Sequence, residues 1–299
     1  MAQDAKTFGI VFIDIARSTE LYEQLGDQTA KTLVSRTLDL VRTYTESVQG
    51  RVVRIIGDEA LCLFPTLDGC LYTVSEIAAA VRRHPVLSRH RVGLRTGLNF
   101  GQVILDEAFE LYGDAVNVAA RMRTLALEGQ ILLPSAVLRL LKGAALLPTR
   151  SLGQVYVKGK HDPVEIVELL WNTDATNLTV SAEVGRHHGP PVPTQIRFEQ
   201  SGGQRIVRLA ELPITIGRSD DNQIMVLHHE VSRRHAVIES QANMFVLRDQ
   251  STNGTQLQIH GHAPLMLHRS QTHLTGSGRI VLGRNPYPDG SNSLAFSCF

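Results

Sequence analysis

Residues 8–19 read FGIVFIDIARST, an apolar run that is interrupted by one acidic residue. Short continuous apolar segments are typical of strands inside a sheet, so residues 8–13 predict a buried strand. Apolar residues at helical spacing follow over 28–48, and residues 51–56 and 60–64 predict two strands joined by a turn at Gly57-Asp58-Glu59. The later predicted elements are a helix over 71–83, strands over 91–97 and 102–105, and a helix over 116–127. The first half therefore predicts an α+β fold with an antiparallel or mixed sheet.

The second half has short runs of alternating apolar residues separated by Gly, Asn, Asp and Ser, which predict an all-β sandwich. Composition also changes between the halves, since all five lysines precede residue 172 and nine of the twelve histidines follow it. The segment between the halves is rich in Thr, Gly and Pro, as is typical of a linker. We therefore expect one domain over 1–172, a linker over 173–193 and a second domain over 194–299.

The 299 residues include 30 basic and 29 acidic side chains, which leave a formal net charge of +1. A chain without a strong net field is not attracted to polyanions, so we expect no nucleic-acid partner and no binding to a membrane. The sequence shows neither a basic leader with an apolar segment nor a stretch of roughly 20 apolar residues. Cys62, Cys70 and Cys298 form no CxxC pair and are typical of buried, reduced thiols. We expect a cytoplasmic protein.

Two acidic residues lie where predicted strands end. Asp14 follows the strand over 8–13, and Asp58 lies at the tip of the predicted hairpin. If the two strands are neighbours in the sheet, the two carboxylates converge. Such a pair suits a magnesium ion bound to nucleotide phosphates, because magnesium keeps several waters and takes only one or two protein carboxylates. From the residues alone, ordinary turn or cap roles for the two aspartates are the alternative.

Four segments of the first half resemble class III nucleotidyl cyclases in their order and approximate spacing. They are residues 12–19 (FIDIARST), 54–59 (RIIGDE), 112–122 (YGDAVNVAARM) and 157–160 (VKGK). The resemblance covers about the whole first half and implies a ferredoxin-like α+β core. It also implies that two such domains pair head to tail with the active sites in the cleft between them, so we expect a homodimer.

The resemblance implies roles for individual residues. Asp14, Asp58 and the main-chain carbonyl of Ile15 are implied ligands of two Mg²⁺ or Mn²⁺ ions per active site, which activate the ribose 3′-hydroxyl and neutralise the triphosphate. Asn117 and Arg121 are four residues apart and so lie on one face of the predicted helix. They are implied to orient the ribose and to stabilise charge on the α-phosphate.

Three further residues are implied to bind the nucleotide. Lys158 matches the family lysine that contacts the triphosphate. Arg54 stands where adenylyl cyclases usually have a lysine that reads adenine, and Glu110 stands where they usually have Asp or Thr. A cationic donor and a carboxylate acceptor still match N1 and the N6 amino group of adenine, so ATP is the expected substrate. Because arginine and lysine differ in reach and geometry, GTP or relaxed base specificity is an alternative.

Three segments of the second half resemble the signature of a forkhead-associated (FHA) domain: 216–219 (IGRS), 231–236 (VSRRHA) and 247–255 (LRDQSTNGT). The resemblance covers about residues 194–299 and implies phosphothreonine binding, for which guanidinium, hydroxyl and amide groups on neighbouring loops are suited. The residues implied to hold the phosphothreonine and the peptide backbone are Arg218, Ser232, Arg233, Thr252 and Asn253. His235 is expected to brace the loops.

Together these features predict an adenylate cyclase that converts ATP to 3′,5′-cyclic AMP and pyrophosphate. Binding of a phosphothreonine-containing protein to the FHA domain is expected to regulate or localise it. Two alternatives stay open. One is a catalytically silent cyclase-like domain that dimerises or senses nucleotide within a phosphopeptide-binding adaptor, and the other is a cyclase of GTP or relaxed base specificity.

Overall fold

A computed structural model describes residues 6–105, 111–141, 148–155, 162–171, 193–200, 203–241, 243–260 and 264–299. The chain divides into an N-terminal and a C-terminal unit. Residues 173–192 of the segment expected to be a linker, together with Glu110 and Lys158, lie outside the described residues.

The N-terminal unit alternates strands and helices in chain order. Its elements are β1 (Lys6–Ile15), α1 (Ser18–Leu25), α2 (Asp27–Ser47), β2 (Arg51–Ile56), β3 (Glu59–Phe64), α3 (Leu67–Arg83), α4 (Pro85–Arg89), β4 (Leu94–Leu105), β5 (Leu111–Tyr112), α5 (Asp114–Leu125), β6 (Ile131–Pro134), α6 (Ser135–Leu138), β7 (Thr149–Val155) and β8 (Val164–Leu169).

These strands form a mixed sheet in the order β2-β3-β1-β4-β6-β8-β7, with β5 paired to β4. The pairing of β4 with β6 is parallel, while β1 pairs antiparallel with both β3 and β4. Val11 belongs to a core cluster with residues of α2 and α3, whereas Ile10 belongs to a second cluster with residues of α5. Strand β1 is therefore buried on both faces, and its C-terminal end, with Asp14, lies between the neighbouring strands β3 and β4.

Two of the predicted elements differ from the structure. The strands expected over 91–97 and 102–105 are the single strand β4, whose pattern is interrupted by Gly97 and Gly101. A Cβ at Gly97 would lie 1.9 Å from the backbone N of Arg123, so the glycine allows α5 to lie directly on the sheet. Helix α1 was not predicted. It is only eight residues long, and its apolar face consists of Leu21 and Leu25, which lie one turn apart and pack against the core while half-buried.

The C-terminal unit consists almost entirely of short strands. They are β9 (Gln195–Gln200), β10 (Gly203–Arg208), β11 (Ile214–Gly217), β12 (Ile224–Met225), β13 (Ala236–Gln241), β14 (Met244–Asp249), β15 (Thr255–Ile259), β16 (Leu265–Leu267), β17 (Gln271–His273), β18 (Ser277–Leu282) and β19 (Ser293–Cys298).

Two sheets, β10-β9-β19-β18-β15-β16 and β12-β11-β13-β14-β17, share one hydrophobic core. Residues from both sheets enter this core, for example Phe296 of β19 and Phe245 of β14. The two-layer arrangement confirms the predicted fold class, an α+β unit followed by an all-β sandwich.

The three cysteines are free, and Cys62 and Cys70 are buried while Cys298 is half-buried. Burial raises the pKa of Cys62 and of Cys298 to about 12, so these thiols stay protonated at neutral pH. Within the described part of the chain, none of the helices combines the length and the apolar character that crossing a membrane requires.

Candidate functional site

The two predicted metal-binding aspartates meet at one edge of the N-terminal sheet. Asp14 lies near the end of β1, opposite Glu59 in the register with β3, and Asp58 precedes Glu59 in the turn between β2 and β3. Asp14 is 6% exposed and Asp58 is half-buried. Burial raises the pKa of Asp14, and the nearby Asp58 carboxylate raises it further, while Arg95 opposes the shift. Two hard oxygen donors are thus close enough to interact, which is the donor set that a hydrated divalent cation takes.

Ile15, whose main-chain carbonyl is the third implied ligand, follows Asp14 at the end of β1. Its side chain is 1% exposed and belongs to the core cluster that includes α2 and α3. This anchoring fixes the backbone where strand β1 gives way to the following turn.

Ion pairs surround the two aspartates, and the sequence analysis did not identify them. Arg95 of β4 donates a hydrogen bond from Nη2 to Oδ2 of Asp14, and Arg123 of α5 forms an ion pair with Glu59. Burial raises the pKa of Glu59, against the attraction of Arg123. The signal that identifies these residues is the strand register, because Glu59 and Arg95 face Asp14 from its two neighbouring strands.

Asn117 and Arg121 lie one turn apart on α5, as predicted, with Asn117 exposed and Arg121 half-buried. Residues two positions apart on a helix point about 200° apart, so Arg121 points away from Arg123 and from the Glu59 that Arg123 contacts. The Nε of Arg121 is buried, and among the described residues it has no hydrogen-bond partner. No hydrogen bond or ion pair within the described ranges joins Asn117 or Arg121 to Asp14 or Asp58.

Arg54 lies on β2, half-buried, and already interacts with other groups of the protein. Glu110 and Lys158, its predicted companions in nucleotide binding, lie outside the described residues. The base-reading pair therefore stays a prediction.

The candidate phosphothreonine residues come from three loops that are hydrogen-bonded to one another. The backbone N of Arg218, after β11, donates to the carbonyl of Ser232 at 3.0 Å. The Ser232 hydroxyl accepts from the backbone N of Thr252 at 3.2 Å, and the Asn253 amide donates to the carbonyl of Glu230 at 3.1 Å. The side chains of Arg218 and Thr252 are exposed, so the structure gathers them on one accessible surface.

His235 is fully buried beneath these loops. Its Nδ1 accepts a hydrogen bond from the backbone N of Ser232 at 3.0 Å, so the proton sits on Nε2, which lies 3.1 Å from the carbonyl of Gly254. Burial lowers the pKa of His235 below its ordinary value, which keeps the ring neutral. The imidazole thus joins two of the three loops.

An open pocket of about 420 Å³ lies beside Arg218 and Arg233, lined also by Ser219, Leu227, His228 and His229. The rings of His228 and His229 both contact the ring of Tyr287 edge to face, and the Tyr287 hydroxyl lies 3.2 Å from Nε2 of His229. No local sequence pattern indicates this aromatic cluster of His228, His229 and Tyr287, because Tyr287 comes from a distant loop.

Comparison with known proteins follows the same division of the chain. A sequence model of the adenylate and guanylate cyclase catalytic domain matches residues 1–169, more than half of the chain. The chain belongs to this family. Residues 214–272 match the FHA domain, which confirms the second resemblance.

Among curated proteins, a putative adenylate cyclase of Rhizobium meliloti is 28% identical over 160 residues, covering 52% of this chain and 27% of the relative. A receptor-type guanylate cyclase of Caenorhabditis elegans is 28% identical over 188 residues, covering 58% of this chain and 17% of the relative. The chain spans well under half of the length of these two relatives.

Solved structures confirm the cyclase fold of the N-terminal unit. The adenylyl cyclase CyaB from P. aeruginosa superposes with a TM-score of 0.50 at 22% identity, covering 57% of this chain and 96% of that structure. The catalytic core of a rhodopsin-guanylyl cyclase, solved with ATPαS, gives a TM-score of 0.51 at 20% identity over 56% of this chain and 96% of that one.

Proposed function

We propose that this member of the cyclase family is an adenylate cyclase that converts ATP to 3′,5′-cyclic AMP and pyrophosphate. The observation that carries the proposal is the convergence of Asp14 and Asp58 at the end of β1, beside the hairpin turn. In the reaction the ribose 3′-hydroxyl releases its proton to solvent and the O3′–Pα bond forms, while the bond from Pα to the oxygen that bridges to Pβ breaks and pyrophosphate leaves.

Asp14, Asp58 and the carbonyl of Ile15 would hold two Mg²⁺ or Mn²⁺ ions. When bound, the ions supply Lewis-acid activation of the 3′-hydroxyl and neutralise charge on the triphosphate. The task of this chain's own residues is to hold the donor oxygens at one edge of a rigid sheet. The burial of Asp14 and Ile15 supports this role, because neither backbone can shift without disrupting the core.

Asn117 and Arg121 would orient the ribose and stabilise charge on the α-phosphate from a second copy of the chain. Arg121 points away from the carboxylate that Arg123 of the same helix contacts, which supports a head-to-tail homodimer in which Arg121 would act on nucleotide bound by the partner. Its guanidinium is planar and always charged, which suits a position beside developing phosphate charge.

Arg54 and Glu110 would read adenine, and Lys158 would contact the triphosphate. A cation that donates to N1 and a carboxylate that accepts from the N6 amino group favour ATP over GTP. A direct comparison of turnover with ATP and with GTP tests the alternative, which is a cyclase that uses GTP or has relaxed base specificity.

In the second domain, Arg218, Ser232, Arg233, Thr252 and Asn253 would bind a phosphothreonine-containing protein that regulates or localises the cyclase. The support is the exposed cluster of donor groups on three loops that His235 and backbone hydrogen bonds hold in place. The domain boundaries that we propose are 1–172 for the cyclase and 194–299 for the FHA domain, joined by 173–193. The buried, protonated thiols fit a reducing cytoplasm.

The test is turnover of the purified chain with Mg²⁺ or Mn²⁺ and either ATP or GTP, with pyrophosphate and cyclic nucleotide both measured. We expect cyclic AMP from ATP. In Asp58→Asn the rate of turnover should fall at least about 100-fold, because the substitution removes a ligand of the metal ion that stabilises the transition state. Asp39→Asn, an exposed aspartate on α2, is the matched control and should keep full activity.

Equal activity in Asp58→Asn and Asp39→Asn would contradict the metal role. No product from either nucleotide, with nucleotide binding and dimerisation intact, would favour the non-enzymatic adaptor instead.

A further inference from the structure

Arg95 and Asp14 are direct cross-strand partners. The antiparallel register of β1 and β4 places Asp14 opposite Arg95, so the two side chains leave the sheet on the same face. The guanidinium Nη2 donates to Oδ2 of Asp14, which is the carboxylate expected to bind the metal.

The Asp14 side chain is 8% exposed and that of Arg95 is 33% exposed. The pair is therefore shielded from water more than a surface ion pair is, and its attraction is correspondingly stronger. The guanidinium of Arg95 therefore places a positive charge directly beside the carboxylate of Asp14.

The guanidinium has little else to hold it in place. Its Nε is buried and has no hydrogen-bond partner among the residues that the structure describes. One third of the side chain is open to solvent, so the head group can turn outward into water when its carboxylate partner is taken.

We propose that Arg95 is a positioning residue that competes with the divalent cation for Asp14. The inference rests on the proposed function, because it requires Asp14 to be a metal ligand. Oδ2 is engaged by a cation that repels a second one, so metal binding has to displace the guanidinium first. Arg95 thereby lowers the affinity of the site for metal and raises the metal concentration that the enzyme needs.

The test is Mn²⁺ binding to the full chain, followed without nucleotide or turnover by the electron paramagnetic resonance signal of the free ion. Arg95→Gln removes the competing charge, and we expect its Mn²⁺ dissociation constant to fall at least roughly tenfold, because the interaction of two unit charges near a protein surface exceeds what a tenfold change requires. Arg95→Met keeps the length of the apolar stem and is the second variant if the glutamine variant does not fold.

Arg123→Gln is the matched control. It removes the same formal charge from a pair of similar burial, but that pair involves Glu59 and not Asp14. The charge of Arg123 is the weakest influence on Asp14 among those identified, so we expect a change in Mn²⁺ affinity below about threefold.

Tighter binding in Arg95→Gln or Arg95→Met, with little change in Arg123→Gln, supports the proposal. Unchanged or weaker binding in the Arg95 variants overturns it, as does equal tightening in all three variants, which indicates a general effect of charge. If Asp14→Asn binds Mn²⁺ as well as the unmodified chain, Asp14 is not a ligand and the proposed metal role fails as well. A third outcome is that Asp14→Asn loses the Mn²⁺ binding of the unmodified chain, while the Arg95 variants bind Mn²⁺ as the unmodified chain does. That outcome overturns the competition and leaves the metal role of Asp14 in place.

Discussion

The fully buried imidazole of His235 contacts two loops of the candidate phosphothreonine site. Its replacement by alanine measures how much these contacts contribute to the free energy of unfolding of the C-terminal unit. His235→Ala leaves the backbone N of Ser232 without its partner, the Nδ1 atom at 3.0 Å. It also removes the contact of Nε2 with the Gly254 carbonyl at 3.1 Å, although this carbonyl still accepts a hydrogen bond from the backbone N of Gly283. Each buried polar group left unsatisfied costs about 1–3 kcal/mol. With the cavity left by the ring, we expect the free energy of unfolding of the C-terminal unit to fall by about 2–5 kcal/mol. A loss of this size is a large fraction of the roughly 5–15 kcal/mol that a domain has.

The chain contains an internal reference for this measurement. Its single tryptophan, Trp171, belongs to the N-terminal unit, where the indole Nε1 donates to the carbonyl of Gly129 at 2.7 Å. Tryptophan fluorescence therefore reports unfolding of the N-terminal unit, while far-ultraviolet circular dichroism reports both units. In urea titrations, His235→Ala should move a dichroism transition to lower urea and leave the fluorescence transition in place.

His260→Ala is the matched control, because His260 is exposed and, among the residues that the structure describes, its ring has one hydrogen-bond contact, at 2.9 Å to the hydroxyl of Ser277. We expect this variant to lose less than about 1 kcal/mol. A loss below about 1 kcal/mol in His235→Ala, or equal losses in the two variants, would refute the bracing role of His235.

Three further outcomes are expected. Because burial holds the pKa of His235 below the ordinary 6.5, the unfolded chain binds the proton more readily than the folded chain does. The stability of the C-terminal unit should therefore be full above about pH 6.5 and fall as the pH drops below it. Thermal unfolding between about pH 8 and about pH 5 measures this dependence. Gly97→Ala places a Cβ against the backbone N of Arg123, so the urea transition followed by tryptophan fluorescence should show a loss of about 1–3 kcal/mol or more. Arg218→Ala should weaken binding of a phosphothreonine peptide about 10- to 100-fold in calorimetry, the worth of a charge-assisted hydrogen bond, whereas the exposed Arg279→Ala should not change it.

Local sequence signals were sufficient for several parts of the fold. The hairpin of β2 and β3 was predicted because Gly57 and Asp58 are turn residues between two apolar runs, and the structure has its turn there. The sandwich was predicted because its strands are short and separated by turn residues. In both cases the deciding interaction is between residues close together in the chain.

The parts that the sequence did not predict depend on contacts between distant residues. Gly97 and Gly101 made one strand resemble two, because a glycine that admits a helix gives no apolar signal of its own. The aromatic cluster of His228, His229 and Tyr287 joins loops more than fifty residues apart. Neither feature has a local pattern from which to infer it.

The neighbours of Asp14, like these features, depend on contacts between residues that are distant in the chain. Its neighbours Glu59 and Arg95 are set by the registers of β1 with β3 and with β4, and a slip of one residue in either pairing would turn a different side chain toward it. Register is normally encoded by the alternation of apolar and polar residues. Strand β1 is buried on both faces, with Ile10 and Val11 both inaccessible, so this alternation is missing. The sequence therefore predicts that two aspartates meet at this edge, whereas the arginine that competes for one of them follows only from the three-dimensional register.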